Sequence, residues 1–198
     1  MNYWAVIPSR SRRTCLANLI ADLVASDVNV VVVDNGYEPE WTPDTGHVAL
    51  LNRQIHVLRH VEDPPNISRL WNIGLRYVAD REIANDYVVA VLNDDLRVPP
   101  LFVQQLGYAL SYYGAAAAFP DVNMRGYDIV LSAPGPVPLS DRLTGFAFAL
   151  RGGASILADE ELCWWYGDDD IDWRARQLGG SVLVGGVRVE HLHPNETT

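Results

Sequence analysis

The sequence has little of what disulfide-stapled domains and nucleic-acid binders depend on. Its two cysteines, Cys15 and Cys163, lie far apart in 198 residues, which excludes a disulfide framework, and no Cys or His spacing matches a structural zinc site. Two reduced, packed thiols are expected. Lys and Arg total 15 against 25 Asp and Glu, a formal net charge of −10, so a global basic footprint for nucleic acid or an anionic membrane is missing. Met1-Asn2 runs straight into "YWAVIPS" without the charged start of a secretory leader, and no apolar run reaches membrane-spanning length. These absences point to a cytoplasmic protein with no membrane contact. There is no Walker lysine loop, and no G-x-G-x-x-G follows the first apolar run, so any phosphate must be held in another way.

What is present is an alternation of short β-branched runs with longer segments of helical period, the pattern of an α/β domain with a mostly parallel sheet. "YWAVIP" reads as a strand, and "RTCLANLIADLVA" as a helix with one apolar face. "VNVVVVDNG" reads as a strand buried on both faces, and residues 37–52 as an irregular excursion. "IHVLRHV" fits a more exposed strand, "NISRLWNIGLRYVAD" a helix capped by Asn66 or Ser68, and "YVVAVLN" a further strand. "PPLFVQQLGYALSYY" reads as a helix with proline in its first turn, and "GFAFALRGG" as a strand beside a more open surface. An acidic turn opens a last helix that stops at Gly179-Gly180, and one or two strands close the chain. The length suits one core, hence a single domain over 1–198.

Open parallel sheets bind ligands beyond the carboxyl ends of their strands. Three such ends are polar here: Ser9 and Arg10, then Asp34 and Asn35, then Asn93, Asp94 and Asp95. Each alone fits a turn or a helix cap; together they outline one site. Adjacent carboxylates suit a hard cation such as Mg2+ or Mn2+ bridging to phosphate. A second cluster, Asp168, Asp169, Asp170 and Asp172, exceeds what helix capping needs. Its neighbours Trp164, Trp165, Tyr166 and Trp173 could stack on a sugar while a carboxylate takes a hydroxyl proton, although each aromatic fits a core position equally well. His191 and His193 share one face of a strand, and one of them could complete a metal shell with Asp95.

The ordered set "VIPSRSR", "VVVVDNG", "ISRLWNIGL", "VVAVLNDDLRVPP", "GFAFALRGG", "YGDDDIDWRARQLGG" and "VRVEHLH" resembles the inverting glycosyltransferases of family 2 over nearly the whole chain. That resemblance implies a three-layer α/β/α, Rossmann-like GT-A fold, with residues 1–99 binding the nucleotide sugar and 100–198 the acceptor. It implies donor contacts from Pro8, Ser9, Arg10, Asp34, Asn72, Asn93 and Asp94, metal ligation by Asp95 and His191 with Mn2+ or Mg2+ as cofactor, and acceptor contacts from Trp164, Trp165, Tyr166 and Trp173. The family's Glu-Asp pair appears as Asp169-Asp170, which makes Asp170 the catalytic base. The family's Arg-Asn-x-Gly motif appears as Trp71-Asn72-Ile73-Gly74, with the arginine replaced and Arg69 nearby. The implied donor is a nucleoside-diphosphate sugar, UDP-linked by preference. A small molecule, a protein or a hydroxylated DNA base remains open as acceptor, and "RSRRT" could touch a nucleic-acid phosphate. A sugar nucleotidyltransferase and an inactive nucleotide-sugar-binding module are the rival readings. The first lacks its Gly-rich, lysine-bearing loop, and the second fits poorly with an intact acidic pair.

Overall fold

The computed structural model describes residues 1–36 and 54–193; the excursion expected over 37–52 lies outside them. The first half runs β1 (Asn2–Ser9), α1 (Arg13–Val24), β2 (Asn29–Asp34), β3 (Ile55–Arg59), α2 (Ile67–Ala79), β4 (Tyr87–Leu92) and β5 (Leu96–Arg97). The second runs α3 (Phe102–Tyr113), β6 (Ala117–Pro120), β7 (Ile129–Leu131), β8 (Ala147–Arg151), α4 (Gly167–Gln177), β9 (Ser181–Val184) and β10 (Glu190–His191). Eight strands form one sheet in the order β3-β2-β1-β4-β8-β6-β9-β7, and β5 pairs with β10 in a separate antiparallel ribbon.

The sheet is mostly parallel, as expected. β1 pairs in parallel with both β2 and β4, β2 with β3, and β6 with β9, while β8 and β7 run the other way. Helices cover both faces, which is why the valine-rich β2 and β4 carry almost no polar residue. Leu16 and Leu19 of α1 join Phe102 and Leu106 of α3 in one core; Leu70 and Trp71 of α2 join Ile171 and Ala175 of α4 in the other. This is the α/β/α arrangement of a GT-A-like fold. Among the described residues no helix is long and apolar enough to cross a membrane.

Three local expectations need correction. β8 is not beside an open surface but buried between β4 and β6. Its alternation is one of size: Ala147 and Ala149 face the α1/α3 side, and Phe148 and Leu150 the α2/α4 side. Pro99 and Pro100 precede α3, because Leu101 adopts a left-handed backbone, φ 61°, that breaks the helical path before Phe102. Of the two thiols, both free, Cys15 is half-buried but Cys163 is exposed.

The close packing of α2 on β1 depends on Gly74, where any β-carbon would overlap the Val6 side chain. Asn66 caps α2 by accepting a hydrogen bond from the Arg69 backbone N–H at 3.0 Å.

Candidate active site

Because β1 is flanked in parallel by β2 and β4, strand order reverses at β1 and a crevice opens beyond the strand ends. A cavity of about 290 Å³ occupies it, at the lower end of the range for small-molecule sites. Pro8, Ser9, Arg10 and Arg12 enter from β1 and the turn after it, Asn35 from β2, and Asn93 and Asp94 from β4. Ile67, Leu70 and Trp71 of α2 floor it. The opposite wall is Gly145 with the run from Trp164 to Asp168.

The β1 and β4 ends are cross-linked. Ser9 donates to the Asp94 Oδ2 at 2.8 Å, and burial pushes the Asp94 carboxyl up to about 6, the Ser9 hydrogen bond opposing the rise and the charge of Asp95 adding to it. Arg12 donates to the Asp95 Oδ2 at 2.5 Å and lies 3.8 Å from the Asp94 Oδ1. The β5–β10 ribbon sets His191 opposite Leu96, so its Nε2 lies 3.2 Å from the Asp95 Oδ1, a buried oxygen that accepts no hydrogen bond among the described residues. Asp95 is 0% exposed and does not line the cavity.

The residues assigned to a metal, Asp95 and His191, are therefore together, but with a guanidinium already seated on the carboxylate. Arg12 occupies the Asp95 Oδ2, whereas the buried Oδ1, an unsatisfied acceptor that a cation would fill, has no hydrogen-bond partner among the described residues and lies 3.2 Å from the His191 Nε2. Among the described residues no group of three or more His, Cys, Asp or Glu is arranged to hold a metal. Asp95 and His191 are the side chains that could hold the expected Mn2+ or Mg2+.

Of the expected donor contacts, Pro8, Ser9, Arg10, Asn93 and Asp94 line the cavity and Asp34 and Asn72 do not. Asp34 turns to Arg59, at 2.5 Å, and to the Gly36 N–H, at 2.9 Å. Asn72 is consumed by the loop that crosses α2: it donates to the Ala158 carbonyl at 2.8 Å and to Glu160 at 3.0 Å, and accepts from the Ala158 N–H at 2.9 Å. Arg69 does not replace the missing arginine, being paired with Glu62 and Glu160. Asn35, one of the polar strand ends expected to outline the site, lines the cavity, and sequence reasoning missed Trp71 and Arg12 as cavity residues. Asn35 is 1% exposed and its Nδ2 has no hydrogen-bond partner among the described residues, although its carbonyl oxygen accepts from the Glu62 N–H. The signal for Arg12 was its place in "RSRRT", one residue before α1.

Trp164, Trp165 and Tyr166 line the cavity and stay largely exposed, as an acceptor platform requires; Trp173 sits on α4 beside Arg176, away from it. Tyr166 enters α4 with a left-handed backbone, φ 68°, and no side chain caps the helix. Three carboxylates in its first turn complement the helix dipole instead. The acidic residues then divide. Asp168 is the one on the cavity wall, accepting from the Gly145 and Asp169 N–H groups, each at 3.1 Å. Burial, then the neighbouring charge of Asp169, raises its carboxyl above the usual range. Asp169 lies 3.5 Å from Arg142, and Asp170 takes hydrogen bonds from Arg174 at 2.8 Å and the Asp159 N–H at 3.0 Å. Neither lines the cavity. Asp172 is buried against Arg176 and Ser181 and ties α4 to β9.

Residues 4–169 match the model of a family described as glycosyl transferase family 2. No curated protein matches the chain. Among solved structures, that of S. aureus TarS 1-349 is similar at 14% identity and a TM-score of 0.63, over 96% of this chain and 59% of that one. TarS 1-349 in complex with UDP is similar at 13% identity, with the same TM-score and coverage. At these identities the likeness shows the fold, and this chain spans less than two thirds of that TarS fragment.

Proposed function

The chain belongs to glycosyl transferase family 2, and from that premise we propose that its cavity binds a nucleoside-diphosphate sugar and transfers the sugar, with inversion, to an acceptor hydroxyl. The observation that carries this reading is the convergence, on one cavity, of Arg10 and Arg12 at the β1 end with Asp168 on the facing wall. Guanidinium groups suit diphosphate oxygens, and a cavity-wall carboxylate raised by burial is a better proton acceptor than an ordinary aspartate.

In one displacement the acceptor oxygen attacks the anomeric carbon and the bond from that carbon to the β-phosphate oxygen breaks. The hydroxyl proton passes to Asp168, and the electron pair leaves on the nucleoside diphosphate. No covalent intermediate on the protein is needed. Asp168 takes the role that the family motif gives Asp170, because Asp168 reaches the cavity while Asp170 faces Arg174 and Asp159. The Asn35 Nδ2, without a hydrogen-bond partner among the described residues, suits a nucleobase carbonyl, and the bound UDP in one TarS structure favours a uridine donor. Trp164, Trp165 and Tyr166 form the acceptor side, with rings that stack on the apolar face of a sugar or another planar group. Residues 1–99 thus supply the donor side except for the wall at Gly145, and residues 100–198 the acceptor side.

A thermal-shift panel tests donor binding, since a ligand of the native state raises apparent stability. UDP, GDP, ADP and dTDP are compared, each with its sugar conjugates. One nucleoside diphosphate should raise the melting temperature well above the others; a flat panel would remove the donor-site reading.

A further inference from the structure

We propose that Asn35 selects the donor by its nucleobase: the side-chain amide donates to a ring carbonyl, so that the cavity takes a diphosphate of uracil, thymine, guanine or hypoxanthine and rejects one of cytosine or adenine. The inference rests on the donor-site reading above.

Strand order sets where the base lies. β2, β1, β4 and β8 run side by side, and at the crevice they present in turn Asn35, then Arg10 and Arg12, then Asn93 and Asp94, then Gly145 with Asp168 hydrogen-bonded to it. With Asp168 at the reacting hydroxyl and the arginines at the diphosphate, the nucleoside extends to the β2 end, where Asn35 lines the cavity.

Asn35 is held so that one polar atom is left over. Its backbone N–H donates to the Ser9 carbonyl at 2.7 Å, and its side-chain oxygen accepts from the Glu62 N–H at 2.8 Å. Glu62 is itself anchored at the start of α2, its carboxylate accepting from the Asn66 N–H at 2.9 Å and from Arg69 at 2.8 Å. Turning the Asn35 amide over would set its NH2 against the Glu62 N–H, donor against donor. The Nδ2 therefore stays a donor to something else, and it is buried with no hydrogen-bond partner among the described residues, an unmet group beside a cavity. Asp34, one residue earlier, is engaged with Arg59 and the Gly36 N–H and does not line the cavity, so the β2 end offers the base an amide donor rather than a carboxylate. Uracil, thymine, guanine and hypoxanthine carry a carbonyl at C4 or C6 that accepts from such a donor. Cytosine and adenine carry an amino group at the same place, and binding them would bury two donors face to face.

The test titrates the full chain calorimetrically, in buffer containing manganese, with UDP and CDP, which match in size and phosphates and differ at C4 and the adjoining N3. IDP and ADP form the purine pair, differing at C6 and the adjoining N1. UDP should bind at least ~10-fold tighter than CDP, and IDP should exceed ADP in the same sense. Asn35→Asp keeps an acceptor for the Glu62 N–H and replaces the amide donor with a carboxylate oxygen, so the ratio of UDP to CDP affinity should fall by at least ~10-fold or invert. The ratio is the readout because the added charge weakens both ligands alike. Asn35→Ala should bring UDP and CDP within about threefold of each other. Because it strands the Glu62 N–H and could loosen the fold, its urea midpoint is measured alongside, and Asn35→Asp decides the matter if the alanine variant does not fold. Equal affinity for UDP and CDP in wild type, or tighter binding of CDP, would overturn base selection while leaving the donor-site reading intact. A ratio unchanged in Asn35→Asp would overturn the role of Asn35. Failure of all four diphosphates to bind would overturn the donor-site reading and this inference with it.

Discussion

Asp168 is the residue on which the chemistry turns. Asp168→Asn keeps the shape and one of the two backbone hydrogen bonds but removes the proton acceptor, so turnover should fall by ~100-fold or more while nucleotide affinity holds. Asp170→Asn should cost much less in steady-state assays, because that carboxylate serves Arg174 and the Asp159 backbone; the opposite ranking would return the base to Asp170. The acid limb of the pH–rate profile should lie above that of an ordinary aspartate, and Asp169→Asn should move it to lower pH by removing the neighbouring charge that helps raise Asp168. The same sign governs stability. A carboxyl raised in the folded state destabilises the fold once pH exceeds its unfolded value, so Asp168→Asn should melt higher than wild type at neutral pH and lose that advantage in acid. At this scale the expected strand ends meet at one cavity, though not every expected side chain lines it. Ser9, Arg10, Asn93 and Asp94 fell where expected, whereas Asp34 and Asn72 went to Arg59 and the Ala158 loop. Neither partnership has a spacing signature, since each joins segments more than twenty residues apart.

The elements that hold the site are β1 and α2, joined where Gly74 meets Val6. Gly74→Val forces the helix off the strand and should destabilise by about 1–3 kcal/mol, the usual cost of overpacking, read as a lower midpoint in urea. Asn72→Ala should cost a similar ~1–3 kcal/mol, because it leaves the buried Ala158 backbone groups unpaired. The loop it anchors leads to the aromatic wall, so this variant should also weaken acceptor-side function without touching nucleotide affinity. Elements of strong period were legible: α1, α2, β2 and β4 lie within a residue or two of their expected bounds. The short β5 and β7 were not, because two or three residues carry no periodicity and their pairing is set by distant partners. β8 was found but misplaced, since an Ala-Phe-Ala-Leu alternation marks two buried faces of unequal depth as readily as one wet face.

Across the whole molecule, the order of elements was enough to give a mostly parallel sheet with helices on both faces, because βα alternation leaves few other ways to bury continuous apolar strands. What it could not give was the state of charge inside the crevice, where the pairing of Arg12 with Asp95 depends on two chain segments meeting over the end of β4. The chain carries a net charge of −10, and the two arginines at the β1 end of the cavity are each paired with carboxylates, Arg10 with Asp63 at 3.2 Å and Arg12 with Asp94 and Asp95. The central claim is inverting sugar transfer at that cavity, and proton NMR of the anomeric region tests it most directly. The chain is incubated with an α-linked nucleotide sugar of the best-bound diphosphate, with water as the slow acceptor. The account predicts that the donor signal decays with the β-anomer of the free sugar appearing first, and that Asp168→Asn abolishes the decay. An unchanged donor signal despite bound nucleotide, or first appearance of the α-anomer, would contradict it.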